Sequence, residues 1–245
     1  MELTGYGKKC EGTSQFVIIA PHAAGDDLKT GVIASRLAEK LNGFWVINNQ
    51  FIKPKNKRSN EIPDKVEDFN KLRWSYTRNK YLWKRKKPEM KKFFKDIDSF
   101  CIQAKNFSPN QKAVAIYIHG IHSENIAIDI GAGLKEHNHS INKVFGTKKH
   151  KEVKDNTGKV TVKISTLKKI KKQLSNKIEQ DFGLDIAVGN HYSGWSKQSA
   201  VQFHKLEGRD DYALQFEISH LFREDNNKIN YIVNLLAETL HENFN

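Results

Sequence analysis

Residues that can bind a metal ion or transfer a proton occur where apolar runs of this sequence end. His22 and the acidic pair Asp26 and Asp27 follow the first run, FVIIA. A second run, AVAIYI, ends at His119, and Glu217 lies within a third, ALQFEI. Two histidines and a carboxylate suit zinc and leave one coordination position for water. A further carboxylate nearby can take the proton of that water, so the pattern predicts a zinc site with a general base.

Glu217 is the most informative of these residues because its run is otherwise apolar. An unpartnered charge among such neighbours would be costly, which favours a role in a site. An edge strand with Glu217 facing water is the alternative. His122 follows His119 by three positions and allows three interpretations: an alternative ligand, a group behind the ligands, or part of a plain polar loop.

The predicted site requires parallel strands that end at one edge of a sheet, because ligands bind beyond the carboxyl ends of such strands. FVIIA is followed by apolar residues at helical spacing between Leu28 and Leu41, then by an Asn-Gly stop and the run FWVI. This strand–helix–strand succession is typical of a parallel α/β sheet. Further strands are predicted at 113–118, 126–130, 186–188 and 212–218, and helices at 93–104, 166–182 and 229–240. We therefore expect one α/β domain over residues 1–245, with a mixed, largely parallel sheet flanked by helices.

Residues 53–95 differ from the rest of the chain because Lys and Arg are interleaved with aromatic residues. We interpret this stretch as a basic insertion, a loop followed by amphipathic helices packed on the domain. The closely spaced glycines of the segment Asp129-Ile-Gly-Ala-Gly133 lack the full dinucleotide-binding pattern and favour a tight turn lining the site. Further along, Asp155-Asn-Thr-Gly158 predicts a hairpin turn.

The charge of the chain bears on its partners. Lys and Arg number 41 against 28 Asp and Glu, a formal net charge of +13. Such a charge favours an anionic substrate, whether small or polymeric, or nucleic acid. Lys, Arg, Trp and Tyr interleaved over residues 71–95 also suit a phosphate backbone and stacked bases. A nucleic-acid-binding protein without catalytic activity is therefore the alternative to an enzyme, and helix faces with their aromatic residues turned inward explain the same pattern more simply.

Cysteine content and hydropathy exclude several other classes. Cys10 and Cys101 are the two cysteines and form no CxxC pair, which argues against a zinc ribbon or a disulfide framework. The longest apolar runs are far shorter than the roughly 20 residues of a membrane helix. The first fifteen residues contain no apolar signal-peptide core, so we expect a cytoplasmic protein.

Three segments, PHAAGDD, IYIHG and ALQFEIS, resemble the signature regions of the N-formylglutamate amidohydrolase family, which is related to phage-type poly-γ-glutamate hydrolases. The resemblance spans roughly residues 16–237 and implies an α/β fold of the zinc-exopeptidase type. By this match His22, Asp27 and His119 would bind one zinc ion, and Glu217 would be the general base. The poly-γ-glutamate relatives have a Glu five residues after the first His, a spacing that selects Asp27 over Asp26.

The family also has an Asp-x-Asn-Arg segment, which Asp68-Phe-Asn-Lys71 resembles with Lys in place of Arg. A bidentate fork for a substrate carboxylate becomes a single point charge, so the substrate can differ from N-formylglutamate. The match implies that Asn70 and Lys71 bind substrate. The candidates to replace the missing guanidinium are Arg73, Arg78 and Arg209. The reaction implied is zinc-dependent hydrolysis of an amide bond in an acidic N-acyl amino acid or γ-glutamyl substrate.

Overall fold

The computed structural model describes residues 1–25, 27–54, 62–84, 86–134 and 160–245. Its strands are β1 (Glu2–Thr4), β2 (Gly7–Cys10), β3 (Phe16–Ala20), β4 (Phe44–Asn48), β5 (Trp74–Ser75), β6 (Lys80–Tyr81), β7 (Val114–Ile121), β8 (Ile126–Gly131), β9 (Asp185–Val188) and β10 (Tyr212–Ser219). Its α-helices are α1 (Thr30–Leu41), α2 (Pro88–Ala104), α3 (Ile164–Phe182) and α4 (Asn226–Phe244). No helix in the described ranges is both long and apolar enough to span a bilayer.

Eight strands form one sheet in the order β1-β2-β4-β3-β7-β10-β8-β9. The central strands β4, β3, β7 and β10 run parallel to their neighbours in this group. Antiparallel pairs flank them, β1 with β2 and β2 with β4 on one side and β10 with β8 on the other, while β9 is parallel to β8. The prediction of a mixed, largely parallel sheet flanked by helices is confirmed.

The central strands read as continuous apolar runs because helices cover both faces of the sheet. On β7, Ile116 and Ile118 belong to the core formed with α1, α3 and α4. Ala115 and Tyr117 alternate with them and belong to the core formed with α2. Because side chains alternate along a strand, His119 lies on the α2 side, two positions beyond Tyr117.

The expectation of helices throughout the later part of residues 53–95 is wrong for the described residues that precede Pro88. These residues contain a 3₁₀ turn at Pro63–Lys65 and the two-stranded ribbon β5–β6. The ribbon carries an edge-to-face pair of Trp74 and Tyr81, whose ring centroids lie 4.9 Å apart. Helix α2 then begins at Pro88, since proline is favoured in the first helical turn, where its missing N–H costs no hydrogen bond.

Most other predicted elements are present, with boundaries shifted by a few residues. The Asn-Gly stop ends α1 because Asn42 adopts a left-handed conformation with φ of 51°. The hairpin β1–β2 was not predicted from the sequence, and the predicted turn at Asp155–Gly158 lies outside the described residues.

Candidate metal centre and cleft

The predicted ligands converge because β3, β7 and β10 are adjacent and parallel, so their carboxyl ends share one edge of the sheet. His22 follows β3 by two residues, and His119 lies two residues before the end of β7. Glu217 lies directly opposite His119 in the register of β10 against β7. All three side chains are buried.

A tight loop after β3 returns Asp27 to His22. Gly25 adopts a φ of 124°, a conformation that L side chains rarely adopt. The Asp27 N–H donates to the His22 carbonyl at 3.2 Å, and the Thr30 hydroxyl donates to the Asp27 carbonyl at 2.7 Å. These bonds place the Asp27 carboxylate against the imidazole five residues earlier in the chain.

The distances within this group fit a zinc ion. Asp27 Oδ2 lies 3.4 Å from His22 Nδ1 and 3.3 Å from His119 Nδ1, and the three ligand atoms lie within 4.8 Å of one another. Zn–N and Zn–O bonds of about 2.1 Å at tetrahedral angles separate two ligand atoms by about 3.4 Å. His22 Nδ1 is buried and has no hydrogen-bond partner in the described structure. The donor types, the spacing and this unpaired nitrogen are those of a zinc site with three protein ligands.

Neighbouring groups fix the orientation of these ligands. His22 Nε2 lies 3.0 Å from Asp68 Oδ1, the carboxylate–histidine contact that commonly orients a metal-binding imidazole. Lys53 Nζ lies 3.2 Å from Asp27 Oδ1, so the two oxygens of Asp27 have different partners. Oδ2 is the oxygen directed toward both imidazoles.

The pKa shifts of His22, His119 and Asp27 show how strongly these side chains interact. Burial alone would lower the pKa of His22, but the nearby carboxylates of Asp27 and Asp68 raise it above its usual value. Burial lowers the pKa of His119 to about 4. For Asp27, contacts with both histidines outweigh burial and hold its pKa well below the usual range. The Asp27 carboxylate thus stays charged between the two imidazoles, at a place where a divalent cation would be strongly attracted.

Glu217 sits next to this group in a site that favours its protonated form. Burial raises its pKa well above the usual range, and the nearby charge of Asp27 adds to the shift. Gln215 Nε2 lies 3.5 Å from Glu217 Oε1 and donates to the Tyr192 carbonyl at 2.5 Å. A buried carboxyl group that can hold or release a proton thus faces the same end of the sheet as the imidazoles.

A cleft of about 320 Å³ extends from Asp68 across the sheet edge. Its walls are the predicted substrate-binding residues Asn70 and Lys71, Gln215 of β10, and the loop from Tyr192 to Ser199. Asp129 anchors the start of this loop, since its carboxylate accepts the backbone N–H groups of residues 190–192 at 3.0, 2.6 and 3.2 Å. The glycine-rich segment that begins with Asp129 therefore supports the cleft wall.

The structure does not bring every candidate residue to this cleft. Arg209 donates to Asp98 at 2.8 Å and to Glu207 at 3.2 Å, and its guanidinium stacks on Phe203, outside the residues that line the cleft. Arg73 and Arg78 are exposed and do not line it either. Arg209, one of the three candidates to replace the missing guanidinium, therefore does not face the cleft, because local carboxylates already pair its charge.

Two further candidates have other outcomes. His122 is exposed and stacks on His220 with ring centroids 4.1 Å apart, rather than joining His22 and His119. Asp26, the alternative to Asp27, lies outside the described residues.

Sequence reasoning missed one residue that contacts all three site-bearing segments. The guanidinium of Arg223 donates to the carbonyls of Leu28, Ile121 and Ile218 at 2.6, 3.3 and 3.1 Å. These carbonyls lie within two residues of Asp27, His119 and Glu217. Gly120 makes room for the guanidinium, since a Cβ there would lie 2.5 Å from Arg223 Cζ. The His-Gly pair at the end of β7 was the available signal, but its meaning depends on a residue a hundred positions away.

Two solved structures with this architecture are hydrolases by name. Bacteriophage poly-γ-glutamate hydrolase superposes with a TM-score of 0.53 at 12% identity, covering 98% of this chain and 91% of the phage protein. N-formylglutamate amidohydrolase from Ralstonia eutropha gives a TM-score of 0.50 at 11% identity, covering 94% and 92%. This chain shares their fold. The expectation that this chain has the α/β fold of these two proteins is thereby confirmed.

A gene product from Agrobacterium tumefaciens, with no activity in its name, also shares the fold. It superposes with a TM-score of 0.50 at 12% identity, covering 94% of this chain and 88% of that protein. The sequence itself matches no protein-family profile and no curated protein. The likeness therefore concerns the fold, and the chemistry has to be argued from the site.

Proposed function

We propose that this protein is a zinc-dependent amidohydrolase that cleaves an amide bond in an acidic N-acyl amino acid or γ-glutamyl substrate. The observation that carries the proposal is the convergence of His22, Asp27 and His119 on ligand atoms within 4.8 Å of one another, beside Glu217. The shared fold supports it, because two of the proteins with this fold are named as hydrolases of glutamate derivatives.

The roles of the residues follow from their positions. A zinc ion held by His22, Asp27 and His119 would supply acidity to a water molecule and polarise the scissile carbonyl. Glu217 accepts a proton from the attacking water and delivers it to the leaving amine. Its buried position opposite His119 in the register of β10 against β7 suits both transfers.

Lys71 and Asn70 are proposed to recognise the acidic part of the substrate. Both line the cleft that begins at Asp68, the residue that orients His22. A lysine offers one point charge where an arginine offers a planar fork, so a single carboxylate oxygen is the expected partner. The cleft thus suits an acidic substrate without requiring the bidentate contact of the related family.

The nucleic-acid alternative depends on exposed aromatic rings within the basic stretch. Among its described residues, Phe69, Trp74, Tyr81, Phe93 and Phe94 are buried, whereas Tyr76 is 71% exposed. Rings packed in a core are unavailable for stacking on bases. This arrangement favours the enzyme.

The decisive experiment replaces the proposed base. We expect Glu217→Gln to lower kcat by at least about 100-fold, the usual contribution of a general base, with the metal content unchanged. N-formyl-L-glutamate and γ-linked glutamate oligomers are the substrates to test, with Glu224→Gln, an exposed carboxylate beyond β10, as the matched control. Full activity in Glu217→Gln, or activity that survives complete removal of metal, would contradict the proposal.

A further inference from the structure

A second cluster of ligand-type side chains lies under α2, at the opposite end of the sheet from His22, Asp27 and His119. Cys101 is in α2, His204 ends the 3₁₀ turn Ala200–His204, and Asp211 directly precedes β10. Their residues are 2%, 0% and 3% exposed. Three buried groups of different chemistry, drawn from separate segments, therefore meet beside the amino ends of β7 and β10.

The spacing of this cluster suits a tetrahedral metal ion. One ligand atom from each residue lies within 4.8 Å of the others, and Cys101 Sγ lies 3.8 Å from His204 Nδ1. A Zn–S bond of about 2.3 Å and a Zn–N bond of about 2.05 Å at a tetrahedral angle separate the two atoms by about 3.6 Å. The observed distance is close to that value.

The hydrogen bonds that orient Asp211 and His204 resemble those that orient Asp27 and His22. Asp211 Oδ1 accepts the ammonium of Lys105 at 3.0 Å and the Ala113 N–H at 3.1 Å, which leaves the other oxygen for a ligand role. His204 Nε2 lies 2.9 Å from the Tyr117 hydroxyl, which leaves Nδ1 facing Cys101. A carboxylate shared with a lysine and an imidazole anchored through its second nitrogen are also features of the Asp27 and His22 pair.

The local charge is compatible with a divalent ion. Lys105 pairs with Asp211, and Arg209 pairs with Asp98 and Glu207, so two cations face three carboxylates. Loss of the Cys101 thiol proton on binding adds one negative charge, which brings the sum of these groups to minus two. A divalent cation would neutralise it.

We propose that Cys101, His204 and Asp211 form a second metal site for a divalent ion that prefers thiolate and imidazole ligands, such as zinc. The ion would join α2 to the amino ends of β7 and β10. Its binding to the thiolate releases the thiol proton to solvent, and one coordination position stays open for water. The site is independent of the proposed amidohydrolase centre and shares no ligand with it.

Metal counting on the full chain tests this site separately from the first. The protein is stripped of metal, reloaded with Co²⁺ and analysed for metal content and for the near-ultraviolet absorption of a thiolate–Co²⁺ bond. We expect two equivalents and the thiolate band in the parent protein. His22→Ala should retain one equivalent with the band, while Cys101→Ser should retain one equivalent without it.

Two further variants test whether the second equivalent of metal depends on this cluster. Cys10→Ser is the matched control for thiol loss and should behave like the parent protein. Asp211→Asn keeps the shape of the cluster and should also lose the second equivalent, with circular dichroism confirming the fold. A parent protein that binds one equivalent, lost on His22→Ala, overturns the second site alone. A thiolate band that survives Cys101→Ser overturns the second site as well. A parent protein that binds one equivalent, lost on Cys101→Ser but not on His22→Ala, would argue against the first centre.

Discussion

A single hydrogen bond to Asp68 orients the imidazole of His22. Asp68 Oδ1 contacts His22 Nε2 at 3.0 Å and also accepts the Asn70 N–H at 2.9 Å. Burial alone would raise the pKa of Asp68, but the contact with His22 outweighs it and holds this pKa at about 2. The carboxylate therefore stays charged at neutral pH.

Asp68→Asn should weaken metal binding at the first centre without abolishing it. Loss of a carboxylate behind a metal-bound histidine typically costs about 10- to 100-fold in affinity. Competition with a chelating dye measures the change on the parent and variant proteins. Asp64→Asn, an exposed neighbour in the 3₁₀ turn, is the control. Equal affinities for the Asp68 variant and the parent would show that the contact does not orient His22.

Gly120 and Arg223 act as one unit, because the guanidinium occupies the space that a side chain at 120 would need. We expect Gly120→Ala to displace Arg223 from its three carbonyl partners and to lower kcat/KM by about 10- to 100-fold, since small displacements of catalytic groups are costly. Steady-state kinetics beside thermal unfolding separate this effect from a loss of stability. Gly5→Ala, where a Cβ meets only Glu89 Cγ at 3.4 Å, is the control. Unchanged kinetics in Gly120→Ala would contradict the positioning role.

At the scale of elements, the apolar strands were the most predictable part of the fold. The limits of β3 match the predicted run, because every residue of this strand is buried between two helical layers. Strand β7 continues past its apolar run through His119 and Gly120, whose backbone stays in register with β10. The hairpin β1–β2 escaped prediction because β2, GKKC, carries lysines in place of an apolar pattern. Such a strand forms because it pairs with its neighbours, and its sequence shows little alternation of apolar and polar residues.

The contact of α2 with the first hairpin depends on a buried carboxylate. Asp96 accepts the Tyr6 hydroxyl at 2.8 Å and the Lys9 ammonium at 3.2 Å, and it also pairs with Lys92. Burial alone would raise the pKa of Asp96, but these three contacts lower it below the ordinary aspartate value of 3.8. The unfolded chain thus binds a proton more readily than the folded one. The stabilisation is present above pH 3.8 and is lost as the pH falls through the folded-state pKa.

Asp96→Asn should lower the free energy of unfolding by about 1–2 kcal/mol at pH 7, because it removes hydrogen bonds to a charged acceptor. The difference from the parent should shrink as the pH falls below 3.8, where the parent also loses the charge. Urea unfolding at pH 7 and in acid measures both values, with Glu39→Gln on the exposed surface of α1 as the control. A difference that does not change with pH would contradict this account.

At the scale of the whole molecule, the sequence predicted which side chains meet at the sheet edge but only some of the contacts around them. His22, His119 and Glu217 could be placed at strand ends from apolar runs alone, since parallel neighbours bring their carboxyl ends together. The roles of Lys53 and Arg223 could not, because each depends on a contact that only the folded chain creates. Arg209 was a candidate for substrate binding because the sequence did not reveal its ion pairs with Asp98 and Glu207.

The net charge of +13 gives a test of the proposed substrate class. A positive field attracts anionic substrates, and salt screens it over about 10 Å at 0.1 M. We expect kcat/KM for an acidic substrate to fall by about 10-fold between low salt and 0.5 M salt, with most of the change in KM. The matched amide of the same substrate should respond little. Equal salt responses of the two compounds would argue against an acidic substrate.

The two segments that form the cleft walls are joined by main-chain contacts. Leu72 N–H donates to the Gln198 carbonyl at 2.7 Å, and Ala200 N–H donates to the Asn70 carbonyl at 3.2 Å. Because these bonds hold the two walls together, we expect the cleft to select compounds by steric fit rather than by closing around them. We expect such a cleft to admit slender, unbranched compounds and to exclude bulky ones.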